Sequence, residues 1–200
     1  MTDADLGQAL PLPTPSPELE ARLAVRRSAP AQALAAPGPS PDQVERLLRL
    51  GARTPDHGKL FPWRFVVMGP HSRAALAEAL RPLAAGQPDP GKARAALAKL
   101  TAPPLTILVV SAPVEGRGTP VWEQQLSAGA VCMNLEHAAH ALGYSASWIT
   151  DWYSYDPQAI ELIGLVPGEQ VAGFIHVGTL AAPPLERPRP DLAARTDYRS

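Results

Sequence analysis

The stretch RTPDHGKLFPWRF, Arg53 to Phe65, decides how this chain is read. Arg53, Asp56, His57 and Lys59 fall within seven residues, and Pro62, Trp63, Arg64 and Phe65 come next. A plain surface turn needs no such chemistry. The cluster suits a metal site, an acid–base cluster, or a loop shaped to hold a charged aromatic ligand. Taken locally, Pro55 stops the preceding helix, and Asp56-His57-Gly58 makes a turn in which Asp56 satisfies backbone donors. Trp63 is read as core, Pro62 as fixing the entry into a strand, and Lys59 and Arg64 as solvated charges.

The rest of the chain bounds the choice. It has 200 residues, 46% of them hydrophobic, which suits one domain with a full core. Eighteen basic residues against nineteen acidic ones leave no global field for nucleic acid or an anionic membrane. One cysteine, Cys132, excludes an intrachain disulfide and fits a reducing compartment. No apolar run approaches the ~20 residues of a membrane span. The Pro-rich N-terminus lacks a signal-peptide core, so the expected location is cytoplasmic.

Helix starts recur as a capping residue followed by proline: Ser16-Pro17, Ser40-Pro41 and Asp156-Pro157. Gln43 completes a capping box on Ser40, and Val44, Leu47, Leu48 and Gly51 share one face of that helix. Residues 71–81, 91–100 and 122–142 read as further helices, the last ending at Gly143. Residues 65–68, 145–150 and 172–177 read as strands. Leu105 to Ser111 (LTILVVS) is continuously apolar and β-branched, the pattern of a central strand buried on both faces. Strands separated by helices predict an α+β or α/β sandwich, one sheet covered by helices. Residues 1–15 are expected to be a disordered tail, 16–190 a single domain, and 191–200 a C-terminal tail.

Three other constellations could carry chemistry. Arg26-Arg27-Ser28 closes a helix. Cations there suit the helix dipole, and two guanidiniums with a hydroxyl also suit a phosphate dianion. Glu136-His137-Ala-Ala-His140 places two histidines on one helical face without a third ligand, which favours a structural role. Gly143 to Thr150 runs from a helix stop into a strand and lacks the glycine spacing of a dinucleotide fold, and the chain has no P-loop and no nucleophile elbow.

Taken in order, Arg-Arg-Ser, a capped helix, R-x-P-D-H-x-x-x-x-P-W-R-F, a helix beginning WEQQLSAGA, then ALGYSASWIT and GFIHVGT resemble the nitroreductase family of FMN-dependent oxidoreductases, in its small single-domain branch. The resemblance covers roughly residues 19–190. It implies a three-layer α+β sandwich with a central, mostly antiparallel sheet. It implies FMN as cofactor, NADH or NADPH as electron donor, and ping-pong reduction of an electrophilic acceptor such as a nitroaromatic or quinone. It also implies a homodimer with flavin at the interface, and no nucleic-acid or membrane partner. By the same resemblance Arg26, Arg27 and Ser28 hold the FMN phosphate, ribityl chain and ring edge, Arg53 and His57 contact the flavin, and Trp148, Ile149 and Thr150 lie along the ring. No residue is assigned as a catalytic acid, base or nucleophile, because the cofactor performs the hydride transfer. Arg187 and Arg189 are candidates for the phosphate but read first as a solvated tail. The alternatives are a flavin carrier or sensor without turnover and a metal hydrolase using His57, His137 and His140.

Overall fold

The computed structural model describes residues 6–199. Four strands pair in the order β1-β2-β4-β3, every pair antiparallel: β1 (Trp63–Met68), β2 (Leu105–Ser111), β3 (Ser145–Ile149) and β4 (Gln170–Gly178). The α+β expectation therefore holds, and the α/β alternative does not. β2 sits between β1 and β4, and all seven of its residues are buried. That is why its sequence is a continuous apolar run rather than an alternating one.

Alternation along β2 divides the core in two. Leu105, Ile107 and Val109 face one side, where they meet Leu47, Val131, Cys132 and Leu135. These come from α2 (Pro41–Gly51) and α6 (Val121–Ala141). Leu108 and Val110 face the other side, with Leu80, Leu97, Leu100, Tyr153 and Phe174. That layer is built by α3 (Pro70–Ala84), α4 (Pro90–Ala96), α5 (Ala98–Thr101) and α7 (Pro157–Ile163). Two apolar cores flanking one sheet make the three-layer sandwich.

The caps behave as the sequence predicts. Ser16 accepts from Leu19 N at the start of α1 (Pro17–Val25), and Asp156 accepts from Ala159 N at the start of α7. The Ser40–Gln43 capping box closes in both directions. A Cβ at Gly51 would sit 2.8 Å from Leu135 Cδ2, so the Leu135 side chain of α6 packs against the bare backbone of α2 there.

Some boundaries differ. The helix expected over 91–100 is two pieces broken at Leu97, where the chain turns to bury both Ala93 and Leu100. The helix expected over 71–81 runs on to Ala84, with Pro82 inside it. β1 begins two residues early, at Trp63, and β4 spans Gln170–Gly178. Of the expected N-terminal tail, residues 6–15 form no helix or strand and are exposed, while 1–5 lie outside the described residues. In the C-terminal tail Ala193–Arg195 forms a single 3-10 turn, and residue 200 lies outside the described residues. Among the described residues no helix is long and apolar enough to cross a membrane.

Candidate functional site

α6 organises the site at both of its ends. Near its C-terminal end stands Glu136, a carboxylate on a turn whose neighbours Cys132, Leu135 and Ala139 are core. Its side chain is 1% exposed. A carboxylate so buried must find donors, and it finds three. Arg26 Nη1 donates to Oε2 at 3.1 Å, Ser28 Oγ to Oε1 at 3.2 Å, and the backbone N–H of Trp148 to Oε1 at 3.1 Å. Arg26 and Ser28 follow α1 directly, and Trp148 is the fourth residue of β3. The structure thus brings Arg26, Ser28 and Trp148 to one carboxylate.

Arg27 makes no hydrogen bond to Glu136. Its Nε is buried with no hydrogen-bond partner, an orphaned cationic donor. It lines a cavity of about 190 Å³ with Arg22, Arg26, His140, Ser145 and Pro184. Burial, then the charges of Arg26, His137 and Arg22, lower the pKa of His140, so its imidazole is neutral where the arginines are not. Arg22 Nη1 donates to the carbonyl of His140 at 3.3 Å, holding α1 against the last turn of α6.

The C-terminal segment joins this end of the molecule. Arg189 Nη2 donates to the carbonyl of Arg26 at 3.2 Å and to Glu186 Oε1 at 2.9 Å. Arg189 is thereby tied to the Arg-Arg-Ser loop while staying exposed, as a tail residue is expected to be. Arg187 is exposed.

The strand residues divide by parity. Trp148 packs on the α6 face, beside Ile175 and Ala172, and Ile149 packs on the opposite face, beside Phe174. The hydroxyl of Thr150 accepts from Tyr155 Oη at 2.9 Å. Of the strand's own residues, Trp148 falls on the side where Glu136 lies, and Thr150 follows the end of β3.

The RTPDH stretch runs back along α6, from Thr54, whose Oγ1 accepts from Asn134 Nδ2 at 2.7 Å, to His57 at the other end. Asp56 accepts from Leu60 N at 2.8 Å and Phe61 N at 3.0 Å, which holds Lys59 and Phe61 in left-handed backbone at φ 56° and 48°. Asp56 therefore orients its turn, as its sequence context predicts. His57 Nδ1 is 2.7 Å from Glu123 Oε2, in the first turn of α6. Arg53 is exposed just beyond α2. Trp63 packs on the core and donates from Nε1 to Ser127 Oγ at 3.2 Å, and Ser127 donates to the Pro55 carbonyl at 2.9 Å. Ser127, among the small residues of α6, thus serves packing within the chain. Arg64 is not a free solvated charge: Nε and Nη2 grip both carboxylate oxygens of Glu169 at 2.7 Å. A larger, open cleft of about 570 Å³ adjoins this end, lined by Pro113, Glu115, Val121, Gln125 and Gly168.

Glu123 and Glu136 are about 20 Å apart along the axis of α6, at about 1.5 Å per residue. Arg26, Ser28 and Trp148 gather at one end and His57 at the other, while Arg53 adjoins Thr54, whose Oγ1 accepts from Asn134 Nδ2 close to the Glu136 turn. A similar distance separates His57 from the turn that carries His137 and His140. Among the described residues no group of three or more His, Cys, Asp or Glu could hold a metal ion. The resident of this site that sequence reasoning missed is Glu136. The available signal was an acidic residue set into the buried stripe of α6, beside two more conspicuous histidines.

Comparison with known proteins agrees with this architecture. The family model described as "Nitroreductase family" matches residues 23–179. The chain is 35% identical over 140 residues to "Putative NAD(P)H nitroreductase YdjA" of Escherichia coli K12, an alignment spanning 69% of this chain and 76% of that protein. A "Putative NAD(P)H nitroreductase" of Haemophilus influenzae is 35% identical over 142 residues, again 69% and 76% of the two chains. In three dimensions a nitroreductase-like family protein of Bacillus cereus superposes with a TM-score of 0.80 at 21% identity, covering 94% of this chain and 99% of the other. A Bacteroides fragilis nitroreductase with bound FMN superposes with a TM-score of 0.72 at 18% identity, covering 92% and 100%. With the sandwich, the Arg-Arg-Ser loop and the R-x-P-D-H turn in place, a match over residues 23–179 has one meaning: this chain belongs to the nitroreductase family.

Proposed function

We propose that the protein is a cytoplasmic, FMN-dependent oxidoreductase that takes hydride from NADH or NADPH and passes it to an electrophilic acceptor such as a nitroaromatic or quinone, in ping-pong order. The observation that carries the reading is the basic cavity behind the Arg-Arg-Ser loop. Arg27 lines it beside Arg22 and Arg26, and its own Nε is buried without a partner. A buried guanidinium nitrogen in that state suits an anionic oxygen, and a phosphate monoester offers three. The residues present therefore fit FMN. Its E. coli and H. influenzae relatives are described as NAD(P)H nitroreductases, and the B. fragilis structure carries FMN.

FMN, when bound, supplies the hydride acceptance and donation. The chain's own residues do the rest. Arg26, Arg27 and Ser28 hold the phosphate end. Trp148, Ile149 and Thr150 lie along the ring at the end of β3, Trp148 from its α6 face. Arg53 offers positive charge and His57 a hydrogen-bonding ring nitrogen to the flavin.

The ~20 Å along α6 between the Glu136 cluster and His57 favours a homodimer with FMN at its interface, in which one copy gives Arg26–Ser28 and a second copy gives His57. Steady-state oxidation of NADH and NADPH with nitroaromatic and quinone acceptors tests the activity. The expected result is acceptor-dependent turnover that requires FMN. Flavin binding without turnover would point instead to a carrier or sensor.

A further inference from the structure

Glu136 stands among the donors that the FMN reading assigns to the phosphate, and its proposed role rests on that reading. A serine hydroxyl has one proton, and a backbone N–H has one. Ser28 gives its proton to Glu136 Oε1 and Trp148 gives its N–H to the same oxygen. Arg26 directs Nη1 at Oε2. A phosphate approaching Arg26 and Ser28 thus meets groups already shared with an internal anion. That anion cannot swing away, because its side chain is 1% exposed and rooted in a core helix. Arg27, whose Nε is uncommitted, is the guanidinium left free of this competition.

We infer that Glu136 is a specificity-determining residue that competes with the cofactor's phosphate for Arg26 and Ser28, and so narrows the preference of the site for FMN over riboflavin. Two like charges sharing one arginine repel across a partly desolvated gap, whereas a neutral flavin feels no such penalty. The ring end of the cofactor is common to both flavins. A merely structural role for Glu136 would therefore shift both affinities together, while competition moves only the phosphorylated one.

The test measures the Kd of FMN and of riboflavin, by quenching of flavin fluorescence, for the full chain and for Glu136→Gln at one ionic strength. Glutamine keeps an oxygen for Ser28 and Trp148 and removes the charge. The ratio of FMN to riboflavin affinity is expected to rise on the order of tenfold in the variant, with riboflavin little changed. A ratio that stays level or falls overturns the inference. If the unaltered protein binds neither flavin, the cofactor reading fails and takes this one with it. If it binds FMN but the ratio does not rise, only the role of Glu136 falls. Should Glu136→Gln not fold, Glu136→Asp draws the carboxylate back by one methylene, and a smaller rise in the same ratio is expected. No rise there contradicts the competition.

Discussion

The indole of Trp148 occupies the space that a side chain at Gly173 would need. A Cβ on Gly173 would lie 2.1 Å from Trp148 Nε1, and that Nε1 donates to the Ala172 carbonyl at 3.0 Å. Glycine on β4 is thus the condition for the position of the tryptophan on β3. Gly173→Ala is expected to cost about 1–3 kcal/mol through overpacking, lowering Tm by a few degrees per kcal/mol for a chain of this size. Thermal unfolding followed by tryptophan fluorescence checks it, and an unchanged Tm would show that β3 shifts freely.

Arg26→Ala removes a charged donor from the phosphate end and leaves Glu136 buried without its cation. FMN affinity is expected to fall at least tenfold, the scale of one charge-assisted hydrogen bond. Stability is expected to fall by about 2–3 kcal/mol, because a carboxylate loses its partner inside the fold. Flavin titration and chemical denaturation measure the two separately. Unchanged FMN affinity would remove Arg26 from the site.

A site shared between two copies makes a prediction about mixtures. Arg26→Ala and His57→Ala protomers, each poor in flavin alone, are co-expressed and purified together. Each mixed dimer then has one site with both defects and one site with neither. Random pairing should restore flavin to about a quarter of the sites. Recovery no better than that of the separate variants would place His57 outside the shared site.

The Arg64–Glu169 pair ties the entrance of β1 to the turn before β4. The hydrogen bond from Arg64 holds the Glu169 carboxyl below the usual carboxylate range. Its stabilisation is therefore complete above the carboxyl's unfolded pKa and is lost as pH falls through the lower folded value. The pair lies near the surface, so Arg64→Ala is expected to cost only about 0.5–1 kcal/mol at neutral pH. The cost should shrink as the buffer is made acidic. Denaturation curves at neutral and acid pH compare them, and a cost that grows in acid would contradict the assignment.

Burial pushes the Cys132 thiol up to about 12, with the charge of Glu136 adding to it. The native protein is expected to resist thiol reagents at about pH 8 and to react promptly in denaturant. Rapid labelling of the folded chain would mean that α6 opens.

Much of this molecule is legible in its residues. LTILVVS can only be a strand covered on both sides, and Ser-Pro or Asp-Pro pairs mark three helix starts through local hydrogen bonds. Asp56 holds its turn from four and five residues away. What depends on distant partners is not legible. Arg64 meets Glu169 and Arg26 meets Glu136 from more than a hundred residues away. No local pattern records which charge the fold delivers to which. The bend at Leu97 is likewise set by packing, since Ala and Leu are good helix formers on both sides of it.

The central claim is that the protein carries FMN and exchanges hydride with a nicotinamide. An absorbance spectrum of the protein reconstituted with FMN and freed of excess cofactor, followed by anaerobic addition of NADH or NADPH, tests it most directly. The predicted result is a retained flavin band near roughly 450 nm, bleached by one of the two nicotinamides and restored by an acceptor. A colourless protein after reconstitution, or a retained band that neither nicotinamide bleaches, would contradict it.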